Sequence, residues 1–135
     1  VDGFRLDAIK HIPIYFFKEW LDAIRQDRDR DVFVVGEYWE VGDVGPLLGY
    51  LHESQARLQL FDAPLHQRFH DASKAGRDYD LRTILDATLV QAAPHLAVTL
   101  VENHDTQPLQ ALEAPVEAWF KPLAYAIILL RQDGI

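Results

Sequence analysis

The chain has 135 residues, 49% of them hydrophobic and 25% charged, a composition typical of a domain that buries a hydrophobic core. Its formal net charge of −8 at pH 7 argues against a nucleic-acid partner and against binding to an anionic membrane surface. There is no cysteine, which excludes disulfides and thiolate metal sites, and the longest apolar run, 124–130, is too short to span a membrane.

Four strands are predicted from the apolar patterns, and they cover 1–7, 32–35, 58–61 and 97–102. In the first strand Arg5 and Asp7 lie two residues apart and therefore share a face. Burying such an ion pair costs free energy because both charges lose their hydration, so the pair suggests a functional role. The second strand is wholly apolar, which is typical of a strand that is covered on both sides.

A helix pattern follows each of the first two strands. The first helix begins near Pro13, and its predicted apolar face is formed by Phe16, Phe17, Trp20, Leu21 and Ile24. A short helix is predicted around 47–51. A third helix, after the strand over 58–61, extends from Pro64 to about Ser73.

Two more helices are predicted in the second half of the chain. Asp80 is expected to cap a helix that continues through about Ala93. The residues predicted on its buried side are Leu81, Ile84, Leu85, Thr88 and Leu89. Pro122 lies inside the last helical pattern, where it either kinks the helix or marks its beginning, and Gly134 ends that pattern. The predicted apolar residues of this helix are Val116, Trp119, Phe120, Leu123, Ile127 and Leu130.

Alternating strands and helices predict an α/β fold with a parallel sheet and right-handed crossovers. The sheet could be doubly wound or part of a (β/α)8 barrel. No glycine-rich phosphate loop follows any strand, which weakens the nucleotide-binding version of the doubly wound sheet.

Three carboxylates occupy the carboxyl ends of predicted strands: Asp7, Glu37 and Asp105. Each alone could be a cap, an ion-pair partner or a loop residue. Parallel strands bring these ends to one rim, where barrel enzymes place their chemistry. One use of such a cluster is a divalent cation site, which Asp62 could join. The other is glycoside hydrolysis by a nucleophile and a proton donor.

Three segments resemble conserved regions of the alpha-amylase family, glycoside hydrolase family 13. GFRLDAIKH is similar to the second region, VVGEYW to the third and VENHD to the fourth, in the family's order. The connecting segments FDAPLHQRFHDAS, ENHDTQP and WFKPLAYAIILLR resemble bacterial liquefying alpha-amylases. The resemblance implies that 1–135 is part of the catalytic (β/α)8 TIM barrel domain, with about strands four to seven and their helices.

The resemblance implies three catalytic roles. Asp7 would be the nucleophile, which Arg5 keeps ionised and oriented. Glu37 would protonate the leaving oxygen and then activate water. Asp105 would bind sugar hydroxyls and stabilise the oxocarbenium-like transition state, and His104 would hydrogen-bond the same sugar.

Further binding residues are implied in the same way. Lys10 would reach sugar, although it could equally be a solvated loop cation. His11 is placed among the substrate-binding residues, and its backbone carbonyl would bind a structural calcium whose other ligands lie mostly outside this chain. Trp39 would stack on a sugar face, or alternatively pack beneath its loop.

The implied activity is retaining endo-hydrolysis of α-1,4-glucosidic bonds in starch, glycogen and related glucans, by an enzyme that is monomeric when complete. Alternatives are a maltooligosaccharide-forming relative, a metal-dependent barrel with an acidic cluster, and a non-catalytic binding module. The last would be expected to have lost catalytic carboxylates, whereas all three matching positions are intact. Localisation, whether secreted or cytoplasmic, is left open.

The chain contains no methionine, and its first residue already belongs to a strand pattern, so we expect a segment of a longer protein. With about four of eight strands, it would form an open, curved half-barrel with an apolar concave face. Phe33, Val35, Val98 and Leu100 would lack the opposite half of the core. We therefore expect the isolated chain to be inactive and to self-associate.

Overall fold

The computed structural model describes residues 2–28 and 32–131, and its centre is a four-stranded parallel sheet. The strands are β1 (Gly3–Leu6), β2 (Phe33–Gly36), β3 (Gln59–Phe61) and β4 (Ala97–Val98). The predicted α/β class is confirmed. Whether these are strands four to seven of a barrel stays a prediction.

Strand order in the sheet follows chain order, β1-β2-β3-β4. Arg5 pairs with Val35 and Leu6 with Gly36, while Phe61 pairs with Val98. Because all pairs are parallel, the chain leaves every strand at the same edge of the sheet. The predicted site residues therefore follow β1, β2 and β4 on that edge.

In the described ranges four helices lie between the strands and a fifth follows the last one: α1 (Ile14–Arg28), α2 (Gly45–Glu53), α3 (Ala63–Ala75), α4 (Leu89–Ala92) and α5 (Lys121–Leu130). They cover the sheet face that carries Val34, Leu60 and Ala97, which are all nearly inaccessible to solvent. Phe69 and Phe120 belong to the same core, with ring centroids 6.3 Å apart. None of these helices is long and apolar enough to cross a membrane.

The other sheet face is partly open. Phe33 is 44% exposed, and Val98 and Leu100 are half-buried, as expected for a concave face. Val35 contradicts that expectation, since it is only 6% exposed. Its neighbours in the sheet are Arg5 on one side and Gln59 on the other, and such cross-strand side chains cover a strand position from both sides.

The predicted helix from Asp80 through Ala93 is wrong. Asp80 caps only a 3₁₀ turn, Leu81–Thr83, and the helical stretch that follows, α4, has its own cap at Thr88. Between them Ala87 has a φ of 55°, which interrupts a right-handed helix. Leu81, predicted to be buried, is 50% exposed.

Two element boundaries differ from the sequence pattern. The strand predicted over 97–102 is limited to two residues, because β3 ends at Phe61 and the chain then turns into α3. Pro122 lies in the first turn of α5, so it marks the beginning of the helix and does not kink it. Val116 and Trp119 precede that helix, and Gly134 lies outside the described residues.

The apolar face of α1 is narrower than its periodicity predicts. Phe17 and Leu21 are buried, whereas Phe16 is 49% exposed. Phe16 instead stacks on Trp20 with ring centroids 6.4 Å apart, and Trp20 packs against Phe4 of β1.

Candidate active site

Asp7, Glu37 and Asp105 line one cavity of about 280 Å³ at the carboxyl edge of the sheet. The other lining residues are Ala8, Lys10, His11, Trp39, Ala111 and Leu112. The three carboxylates expected on one rim thus lie around a common space, although they come from three different strand ends.

Backbone hydrogen bonds continue the β1–β2 pairing beyond the strands themselves. The Glu37 amide donates to the Leu6 carbonyl at 2.8 Å, and the Ile9 amide donates to the Glu37 carbonyl at 3.0 Å. Between them Ala8 adopts a left-handed conformation with a φ of 45°. This turn directs the Ala8 amide to Oε2 of Glu37, 3.3 Å away.

Arg5 contacts two carboxylates with one guanidinium. Its Nη1 lies 2.5 Å from Oδ1 of Asp7, and its Nη2 lies 3.0 Å from Oε1 of Glu37. The Asp7 side chain is 70% exposed, while that of Glu37 is only 7% exposed. A buried carboxylate requires charged or hydrogen-bonding partners, and Glu37 has them in Arg5 and the Ala8 amide.

Asn103 connects the segment after β4 to Glu37 after β2, a role that was not predicted from the sequence. Its Oδ1 accepts hydrogen bonds from the amides of Asp105 and Thr106 at 2.9 and 3.0 Å, which forms a tight turn. Its Nδ2 makes a long contact of 3.5 Å with Oε1 of Glu37. The sequence could have predicted this turn, because an asparagine side chain often accepts a hydrogen bond from the backbone amide two residues later.

The loop that follows Asp105 folds back to form a wall of the cavity. The Leu112 amide donates to the Asp105 carbonyl at 3.1 Å, and the Ala114 amide donates to the Thr106 carbonyl at 3.1 Å. The sequence did not predict that Ala111 and Leu112 line the cavity. The path of this loop depends on backbone hydrogen bonds between residues that are not adjacent in the sequence.

Lys10, His11 and Trp39 all lie on the cavity wall. The Lys10 ammonium donates to the Trp39 carbonyl at 2.8 Å, which joins the segments that follow β1 and β2. His104 is exposed, is not among the lining residues, and has Nε2 3.3 Å from Oδ2 of Asp105.

Asp62 does not join the acidic cluster, contrary to what the metal-dependent alternative needs. It is fully buried and accepts hydrogen bonds from the amides of Leu65, Leu89 and Val90, at 3.0, 3.1 and 2.7 Å. Burial raises the pKa of Asp62, and the three amides oppose that effect. Its carboxylate is thus occupied in joining α3 to α4.

The described ranges, 2–28 and 32–131, contain no group of three or more His, Asp or Glu side chains arranged to hold a metal ion. Asp7 and Glu37 are instead both bound to Arg5, a cation that competes with a metal for the same oxygens. These residues alone therefore do not form a calcium site.

The chain is similar over 99% of its length to several bacterial glucan-degrading enzymes, while no family model matches it. It is 58% identical to the cytoplasmic alpha-amylase of Escherichia coli K12 and 52% identical to the alpha-amylase of Geobacillus stearothermophilus. It is 46% identical to the glucan 1,4-alpha-maltohexaosidase of Bacillus sp. strain 707. In each case the chain spans about a quarter of the relative's length: 27%, 24% and 26%. Along this quarter of their length the chain is a homologue of the bacterial alpha-amylases.

Proposed function

We propose that the whole protein hydrolyses internal α-1,4-glucosidic bonds in starch, glycogen and related glucans with retention of configuration. The observation that carries this proposal is the shared guanidinium: Arg5 contacts both Asp7 and Glu37 at the cavity. A retaining mechanism requires two carboxyl groups about 5.5 Å apart. One guanidinium between them keeps the two groups close.

Asp7 is the proposed nucleophile. Its exposed carboxylate faces the cavity, and Arg5 orients one oxygen, leaving the other for substrate. In the first step an Asp7 oxygen bonds to the anomeric carbon as the glycosidic C–O bond breaks. Glu37, which is protonated before this step, supplies its proton to the leaving oxygen. In the second step Glu37 takes a proton from water, whose oxygen replaces Asp7 at that carbon.

Asp105 is the proposed stabiliser of the sugar in the transition state. Its backbone is held by the Asn103 side chain, and Asn103 also approaches Glu37. This arrangement couples the position of the third carboxylate to that of the acid, so that both face the same sugar ring. Preorganised groups of this kind stabilise developing charge without reorganisation.

The cavity wall, together with His104 beside Asp105, supplies the proposed sugar-binding residues. Trp39 offers an aromatic face to a sugar ring, and Lys10, His11 and His104 offer hydrogen bonds. The Lys10 ammonium already binds the Trp39 carbonyl, so it also has a structural role. A structural calcium would take at most the His11 carbonyl from this part of the chain, and no step proposed here uses it.

We further propose that β1 to β4 are strands four to seven of a (β/α)8 barrel and that 1–135 is part of its catalytic domain. The sequential parallel order supports this assignment, since successive strands are neighbours in such barrels. We also propose that the complete enzyme is monomeric. The name of the Bacillus sp. relative supports one variant of the activity, in which a maltooligosaccharide of defined length is the main product.

The proposal is tested by the anomeric configuration of the first product. The full-length protein is incubated with maltoheptaose, and the new reducing end is followed by proton NMR before mutarotation. We expect the α-anomer, and its release should require Glu37. The β-anomer would overturn the retaining mechanism, and an unchanged rate in Glu37→Gln would overturn the assignment of the site. The lengths of the products distinguish a general endo-hydrolase from a maltooligosaccharide-forming enzyme.

A further inference from the structure

His66 on α3 is a fully buried histidine that contacts Trp39 of the candidate active site. It has no role in the proposed reaction. Its Nδ1 lies 2.7 Å from the carbonyl oxygen of Val101, so Nδ1 must carry the proton that is shared in this hydrogen bond. Its Nε2 is also buried and makes no hydrogen bond. Burial lowers the pKa of His66, which agrees with a neutral ring that carries one proton.

The ring of His66 lies against the ring of Trp39. Their centroids are 5.4 Å apart and the planes are inclined by 53°. Trp39 is at the same time part of the cavity wall. The indole therefore has the cavity on one side and His66 among the groups that support it.

The hydrogen bond of His66 fixes the backbone that carries the third carboxylate. Val101 is fully buried and lies two residues before Asn103 and four before Asp105. Beyond it the chain has no regular secondary structure until α5, so this segment is held by side-chain hydrogen bonds and by a few backbone hydrogen bonds within the loop.

A leucine or phenylalanine would fill this core position without leaving a buried nitrogen unpaired. Unlike leucine or phenylalanine, histidine provides both an aromatic ring for Trp39 and a hydrogen-bond donor for the Val101 carbonyl. We propose that His66 is a positioning residue of the active site. It supports Trp39 through its ring and the Asn103–Asp105 segment through Nδ1. This inference rests on the proposed function.

Two substitutions in the full-length protein separate the two contacts. His66→Phe keeps a ring against Trp39 but removes the donor to Val101. His66→Asn keeps a donor near the Nδ1 position but removes the ring. Steady-state kinetics on maltoheptaose should show a 10- to 100-fold lower kcat for His66→Phe, because small displacements of catalytic groups have effects of this size. For His66→Asn we expect a several-fold higher KM with a smaller change in kcat.

His70 provides the matched control, since it lies one turn along α3 and its Nδ1 is 2.8 Å from the carbonyl of Pro115. His70→Phe and His70→Asn should lower the melting temperature without changing kcat or KM selectively. Trp39→Ala is combined with His66→Asn, and the double variant should have the KM of Trp39→Ala alone. If the effects of the two substitutions on KM are additive, the inference that His66 acts through Trp39 is wrong.

Wild-type kcat and KM in both folded His66 variants would overturn the whole inference. If neither His66 variant folds while both His70 variants do, His66 is a core residue and the inference fails as well. A wild-type protein that does not hydrolyse maltoheptaose would instead refute the proposed function. The failure of one proposal is therefore distinguishable from the failure of the other.

Discussion

Arg5 and Glu37 form an ion pair across two parallel strand ends, with Nη2 of Arg5 3.0 Å from Oε1 of Glu37. Strand register explains the contact: Arg5 pairs with Val35, so the residue two positions beyond Val35 emerges on the same face. The second terminal nitrogen of the same guanidinium binds Asp7. The planar fork of arginine allows one residue to hold both carboxylates.

Replacing Arg5 by lysine tests whether the fork itself is required. An ammonium is a point charge that can approach one carboxylate well but does not hold two in a fixed relation. We expect Arg5→Lys in the full-length protein to fold and to lose about 10²- to 10³-fold in kcat/KM for maltoheptaose, in the range of losses from misplaced catalytic groups. Arg57→Lys is the control, because Arg57 binds Asp22 and precedes β3, at the edge of the sheet opposite the site. Activity within a few-fold of wild type in Arg5→Lys would contradict the proposed role.

Because Asp7 and Glu37 have different proposed roles, variants at these two positions should differ in how their activity depends on the leaving group of the substrate. Glu37→Gln and Asp7→Asn should each lower kcat on maltoheptaose by several orders of magnitude with the fold intact. An aryl glycoside with a good leaving group needs little protonation, so it should partly restore the first step in Glu37→Gln. It should not do so in Asp7→Asn, which lacks the attacking oxygen. Pre-steady-state release of the aryl group measures this step, and equal rates in the two variants would show that the roles are misassigned.

His66 should make folding stability depend on pH below neutrality. Burial lowers the pKa of His66 in the folded protein, whereas in the unfolded chain it titrates near its usual value of about 6.5. As the pH falls below that value the unfolded state binds a proton that the folded state does not. The free energy of unfolding therefore decreases, by up to about 1.4 kcal/mol per pH unit, until the lower pKa of the folded state is passed.

Denaturant unfolding between pH 7 and pH 5 checks this expectation by comparing the wild type with His66→Asn. Other titrating groups are shared by the two proteins, so their contributions largely cancel in the difference. The wild type should lose stability more steeply as the pH falls. Parallel curves would mean that His66 is not held neutral in the folded protein.

Asp62→Ala should be among the most destabilising substitutions of a polar residue in this chain. It leaves three buried amide groups without an acceptor, those of Leu65, Leu89 and Val90, at about 1 kcal/mol each. We expect a loss of about 3 kcal/mol in the free energy of unfolding. Asp80→Ala is the control, because Asp80 also caps a turn but is exposed, and it should have a much smaller effect. Similar losses in the two variants would contradict this account of Asp62.

Residues 1–135 expressed alone should self-associate and should not hydrolyse glucans. Leu109, Leu129 and Leu130 are 92%, 73% and 83% exposed, and such apolar surface promotes association. The edges of the sheet at β1 and β4 offer further unpaired backbone groups. Size-exclusion chromatography and a starch assay provide the measurement. A monodisperse, active monomer would contradict both the expected open sheet and the proposed half-barrel.

Local patterns in the sequence were sufficient to find the four strands, although not to fix the ends of each, and to identify the residues that follow them. β1 and β2 could be recognised within the predicted segments because alternation and continuous apolar runs reflect burial residue by residue. The parallel topology then followed from the helices between strands, and it brought Asp7, Glu37 and Asp105 to one edge. The same patterns cannot determine what each side chain contacts, because a contact depends on two distant residues.

Contacts between residues far apart in the sequence determined where α4 begins and which site residues touch, and Asp62 illustrates why. The periodicity over 80–93 suits one helix, but the Asp62 carboxylate accepts the amides of Leu89 and Val90, 27 and 28 positions further along the chain. That interaction begins a new helix at Leu89 and takes Asp62 out of the acidic cluster. Likewise the side chain of Asn103 approaches Glu37 only because β2 and β4 end at the same edge of one sheet. The sequence by itself determined which groups arrive at that edge, and only the tertiary structure decided which of them touch, because hydrogen bonds across the sheet depend on the register of whole strands.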